Sequence, residues 1–89
     1  MLKKIAIGIK DVKAGAFHFD PIFALNKGTA MRSLGDMVGN AELVFVKHPD
    51  DYHFFLLGEF DVLSGILAPT ENGPEFLCSA RDLLPNGGL

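Results

Sequence analysis

The sequence predicts an α+β fold: a small antiparallel sheet of about four to five strands with one main helix, about residues 28–38, packed on it. Three observations carry that reading. Ile5, Ile7 and Ile9 alternate with Lys4, Ala6, Gly8 and Lys10 at the period of a strand. Ala30, Leu34, Met37 and Val38 fall at i, i+4, i+7 and i+8, one face of a helix. Ten glycines and five prolines in 89 residues cut the remainder into short pieces. The expected order is β-β-α-β-β, closed by a short C-terminal strand or helix. A chain of this length is a single domain, residues 1–89, and 85–89 reads as a frayed tail.

The first strand has one bulky face, and Ala6 and Gly8 leave its other face open to close approach. Lys13–Gly15 is a turn in which Gly15 supplies positive φ. A second extended segment, Ala16–Leu25, carries Phe17, Phe19, Ile22, Phe23 and Leu25. Pro21, which has no N–H to donate, marks an edge or bulge within it. The helix from Gly28 to Val38 takes Asn26 or Thr29 as its N-cap, and Gly39-Asn40 is expected to end it in a left-handed cap. Gly35 inside it reads either as close packing or as a tolerated glycine.

Ala41–Lys47 fits a short strand or continuing helix, and His48-Pro49-Asp50-Asp51 is a turn. Tyr52–Asp61 reads as the central strand. Strict alternation puts Tyr52, Phe54, Leu56 and Phe60 on one face and His53, Phe55, Leu57 and Glu59 on the other. With both faces apolar, the strand is expected to be covered on both sides. Asp61–Gly65 turns the chain into a hairpin partner, Ile66–Thr70, and residues 71–74 form a loop. Residues 75–84 read as a strand followed by a helical turn capped by Ser79, or as one short helix with Phe76, Ala80 and Leu84 inward.

Chemistry is harder to find. A chain 48% hydrophobic and 21% charged is too apolar to be a disordered tail. One cysteine excludes a disulfide framework and a thiol-rich zinc finger. Cys78, between Leu77 and Ser79, reads as a buried inert thiol. His48, Asp50, Asp51 and His53 lie within six residues, but Pro49 separates the imidazoles and the cluster suits a turn better than a metal. His18 is remote in sequence from all four. No nucleophile, paired acid and base, or phosphate loop assembles, so the expectation is no catalytic residue, no metal, no cofactor and no enzyme. The apolar stretch Ile5–Ile9 is too short for a signal peptide, and no run is long enough to span a membrane.

A net charge of −3 excludes the strongly basic proteins that wrap duplex DNA. The charge is uneven, however. Residues 1–32 hold six cations against two acids, +4, and residues 33–89 hold two cations against nine acids, −7. Lys10, Lys13, Lys27 and Arg32 are the candidate phosphate contacts. Phe17, Phe19 and Tyr52 are the candidate stacking faces for single-stranded DNA, with core packing as the competing role of each aromatic. A short apolar chain with such asymmetry also suits a homo-oligomer.

Three stretches resemble one family when taken in order. Asp11-Val12-Lys13-Ala14-Gly15-Ala16-Phe17 is similar to its opening segment. Asn26-Lys27-Gly28-Thr29-Ala30-Met31-Arg32-Ser33 is similar to the segment that opens its helix. Lys47-His48-Pro49-Asp50-Asp51-Tyr52, then Leu57-Gly58-Glu59-Phe60-Asp61 and Gly65, are similar to its turn and hairpin. The resemblance is to the small nonstructural protein of gokushovirus-type microviruses, bacteriophages with single-stranded DNA genomes. It implies a nonenzymatic protein associated with viral DNA replication or single-stranded genome synthesis in the cytoplasm of the infected bacterium. The implied partners are single-stranded DNA or, alternatively, phage replication or assembly proteins contacted without DNA.

Overall fold

The computed structural model describes residues 2–40 and 44–84, and the tail at 85–89 and residues 41–43 lie outside them. The described residues form a five-stranded antiparallel sheet with three short helices on one side, an α+β fold of the predicted kind. Strands β1 (Lys3–Asp11) and β3 (Tyr52–Asp61) run antiparallel along their whole lengths, from Lys3 opposite Asp61 to Asp11 opposite Tyr52. Strand β2 (Ile22–Ala24) borders β1. Strands β4 (Leu67–Pro69) and β5 (Glu75–Ser79) share the far edge of β3 end to end, β4 beside Gly58–Phe60 and β5 beside His53–Leu56.

Ala16–Leu25 forms less strand than its composition predicts. Only the three residues of β2 and a single bridge from Ala16 to Asp11 join the ladder. The corners behave as expected: Gly15 and Gly65 take φ of 68° and 77°, the left-handed region that a Cβ disfavours.

Helix α1 (Lys27–Val38) is capped by Asn26, whose Oδ1 accepts from the Thr29 N–H at 2.8 Å. Its C-terminus corrects the left-handed expectation. Gly39 stays right-handed at φ −74°, with its N–H donating to Gly35 O at 3.0 Å. Gly35 packs against nothing, since a Cβ there would meet no atom within 4 Å. Helix α2 (Val44–Lys47) resolves the described part of the ambiguous segment as helical, and Pro49–Asp51 form one 3-10 turn. Helix α3 (Ala80–Leu83) follows β5 directly. Ser79 caps it reciprocally: Ser79 Oγ accepts from the Asp82 N–H, and Asp82 Oδ2 accepts from the Ser79 N–H at 2.9 Å.

The core lies between the helices and one face of the sheet. Ala30, Leu34 and Val38 of α1, Phe45 of α2 and Ala80 of α3 pack in one cluster with Ile7, Ile9, Phe54 and Cys78. Ile7 and Phe54 are fully buried, and each contributes on the order of 2–3 kcal/mol by leaving water. The central strand is therefore covered on one side only, not on both as its sequence suggests.

A bulge decides which residues face the other side. Ala6 pairs with Gly58, but the next residue, Ile7, pairs with Leu56, so Leu57 has no partner on β1. One extra residue reverses the facing of everything beyond it. Phe60 therefore leaves the side of Phe54 and joins Phe55, while Glu59 moves to the opposite side. Leu57 lies across Gly8, where a Cβ would come within 2.8–2.9 Å of its side chain.

Candidate functional site

The site is built by the pleat of the sheet. On β1, alternation sends Lys3, Ile5, Ile7, Ile9 and Asp11 toward the helix side and Lys4, Ala6, Gly8 and Lys10 to the open side. Cross-strand partners share a face, so His53, Phe55 and Phe60 of β3, Phe23 of β2, Leu67 of β4 and Phe76 of β5 join Lys4 and Lys10. Five of the eight phenylalanines gather on the face without helices: Phe23, Phe55, Phe60 and Phe76 from the strands, and Phe17 through its ring contact with Phe55.

Their rings form two groups. At one end His53, Phe76, Phe55 and Phe17 contact in sequence, with centroids 5.2, 5.7 and 5.4 Å apart, edge to face. Lys10 Nζ lies 5.9 Å from the Phe17 centroid, within cation–π range. At the other end Phe23 and Phe60 contact at 5.8 Å, and Lys4 lines a shallow hollow with them. Between the two lies an apolar cleft of about 270 Å³ bordered by Ala6, Phe23, Leu57, Leu67 and Pro69. Phe76 is 52% exposed and Phe23 46%, large values for rings in a sheet.

Charge is segregated across the sheet. All four strand carboxylates, Asp11, Glu59, Asp61 and Glu75, occupy positions on the helix side. Lys4 and Lys10 are the charged residues at open-side strand positions. The open face is thus apolar, aromatic and weakly cationic.

Of the seven residues predicted to bind nucleic acid, the structure brings Lys10 and Phe17 together on this face and places the others elsewhere. Tyr52 is buried among Phe19 and Phe45, and burial, reinforced by Asp11 and Asp51, pushes its phenol pKa up. Phe19 is half-buried against the same core. Both are core residues, which corrects their reading as stacking faces. Lys13 Nζ is 3.6 Å from Asp51 Oδ2, and Lys27 Nζ is 3.5 Å from Glu75 Oε2. Arg32 is exposed on α1, turned about 200° from both Ala30 and Leu34. These three cations do not join the open face. The residues that sequence reasoning passed over are Lys4, Phe23, Phe55, Phe60, Phe76 and His53. Their signal was the strip Lys4-x-Ala6-x-Gly8-x-Lys10, small in the middle and cationic at both ends.

The remaining candidates have structural partners. Asp50 accepts from the Arg81 guanidinium, whose NH2 group lies 2.9 Å from Asp50 Oδ2, and this pairing lowers the carboxyl pKa. Asp11 accepts from the Ala14 N–H at 3.1 Å and lies 3.3 Å from His18 Nε2. Burial pushes the Cys78 thiol up, with Asp82 adding to the effect, so the thiolate is disfavoured. Among the described residues no group of three or more His, Cys, Asp or Glu side chains is placed to hold a metal ion, and no helix is long and apolar enough to cross a membrane.

Fold and face together define a two-layer α+β domain whose sheet carries helices on one side and an exposed aromatic surface on the other. The chain belongs to the Phage ORF5 protein family, whose pattern it matches over residues 4–83. No curated protein and no solved structure matches it.

Proposed function

We propose that this phage protein binds single-stranded DNA through its open sheet face, without catalysis, as part of viral DNA replication or single-stranded genome synthesis in the host cytoplasm. The observation that carries the reading is the sorting of side chains by the pleat: four phenylalanines and two lysines at strand positions on one side, with Phe17 packed on Phe55 beside them, and the four strand carboxylates on the other. Unpaired bases present π-faces that stack on such rings, each worth about 1–3 kcal/mol, and the phosphates between them meet ammonium groups. A duplex hides those π-faces, and two lysines cannot replace the dense cationic contacts that duplex binding uses. The resemblance to microvirus nonstructural proteins supplies the replication context.

The test is fluorescence anisotropy of a labelled oligothymidylate titrated over a salt series. Each phosphate neutralised on a single strand contributes about −0.7 to the slope of log affinity against log salt, so two lysines predict about −1.4. Lys10→Ala should flatten that slope by about 0.7, and Phe76→Ala should weaken binding about tenfold. Absence of binding by the wild-type protein at low ionic strength overturns the reading.

A second reading, contact with a phage replication or assembly protein, is favoured by one observation. The tip between β3 and β4 exposes Val62, Leu63 and Ile66, with Leu63 81% exposed.

A further inference from the structure

We infer that the open face holds two separate nucleotide-binding stations and that one DNA strand must bridge both to bind tightly. The inference rests on the single-stranded DNA reading above and goes on to fix how long the ligand is and how it lies. The first station is Phe23 and Phe60 with Lys4, opening onto the 270 Å³ cleft. The second is Phe17, Phe55 and Phe76 with Lys10. Each station pairs an aromatic surface with one ammonium group, the combination that one base and its phosphate require.

Leu57 separates them. The bulge turns its side chain across Gly8 in the middle of the face, where β1 offers only Ala6 and Gly8 and no charge. The same bulge that places Phe60 on this face therefore inserts an aliphatic spacer between the two ring groups. The cleft is slightly smaller than the range of drug-sized ligand pockets, about 300–1,000 Å³, and suits a single inserted base rather than a longer segment.

The strand direction sets the spacing. Lys4 and Lys10 are six residues apart on one strand, roughly 20 Å at about 3.3–3.4 Å per residue. At a duplex-like rise of about 3.4 Å per nucleotide the bridge needs about six nucleotides, and a strand drawn out over the sheet needs fewer. A shorter oligonucleotide occupies one station at a time. Once the second station is within reach, its occupation becomes intramolecular and affinity rises steeply. The four strand carboxylates lie on the helix side, so the path along β1 meets no like charge at its strand positions.

The test is a length series of oligothymidylates, from about two to about twelve nucleotides, titrated against the wild-type protein and the Lys4→Ala/Phe23→Ala variant. Both substituted side chains are exposed, and Lys4→Ala alone serves as a milder second variant. Wild-type affinity is expected to climb about a hundredfold between about two and about six nucleotides and then level off. The variant should keep its affinity for the shortest oligonucleotides within about twofold and lose the climb. Wild-type affinity already complete at the shortest length, or a variant weakened by one common factor at every length, overturns the two-station inference while leaving DNA binding standing. No binding of any length by the wild type overturns the DNA reading itself.

Discussion

Asp61 shows how much local order one carboxylate imposes on this fold. Its Oδ1 accepts from the N–H groups of Ser64, at 3.1 Å, and Leu63, at 2.9 Å, and these bonds hold its pKa below the usual carboxylate range. Asp11 does the same at the first turn, its pKa lowered chiefly by the Ala14 N–H and then by His18, and Asp50 is lowered by Arg81. A carboxylate depressed in the folded state contributes stability in full above its unfolded value, about 3.9, and loses it as pH falls through the folded value. The protein should therefore lose stability progressively below about pH 4, read as a falling urea midpoint. In Asp61→Asn the amide still accepts but carries no charge, so its midpoint should fall less steeply with acid. An acid slope identical to the wild type would show that the Asp61 bonds contribute nothing.

At the scale of elements, α1 gives the sharpest contrast between a residue that matters and one that does not. Asn26→Ala removes the cap and should cost about 1 kcal/mol. Gly35→Ala meets open space and should add about 0.5–1 kcal/mol through helix propensity. Urea denaturation of both variants checks the opposite signs, and a destabilised Gly35→Ala would mean that the helix packs more closely there than the structure shows. Elements whose pattern is local were legible in the sequence: β1 from its isoleucines, α1 from its 3.6 period, and β3 with both of its bounds. The ending was read as either of two alternatives, and the structure takes the strand followed by a helix capped by Ser79. The candidate site was legible only in part, because it depends on register. The bulge at Leu57 arises from pairing with β1 some fifty residues away, and no local alternation reports it. Likewise, the role of Phe19 in the core was hidden because residues 17–21 follow no regular period: Phe17 reaches Phe55 on one side of the sheet and Phe19 reaches Phe45 on the other.

For the whole molecule the open question is what the exposed apolar surface meets. The open face and the hairpin tip adjoin at Leu67, which pairs with Phe60 and borders the cleft. Light scattering on the free protein at high concentration separates their roles. A mass well above 9.6 kDa that falls to the monomer value in Leu63→Ser assigns the tip to self-association. A monomeric wild type removes the homo-oligomer and leaves the tip for a different protein. The pairing of β1 with β3 has a further consequence, in the order of events during synthesis. Lys3 finds its partner only when Asp61, 58 residues further along, has emerged. Until then the isoleucine-rich first strand and the apolar side of α1 have no complete sheet to close against. Sheet closure over so long a separation is entropically costly and slow. The nascent chain thus passes through a window in which it is most exposed to misassociation, and that window ends with the arrival of the strand that also creates the aromatic face.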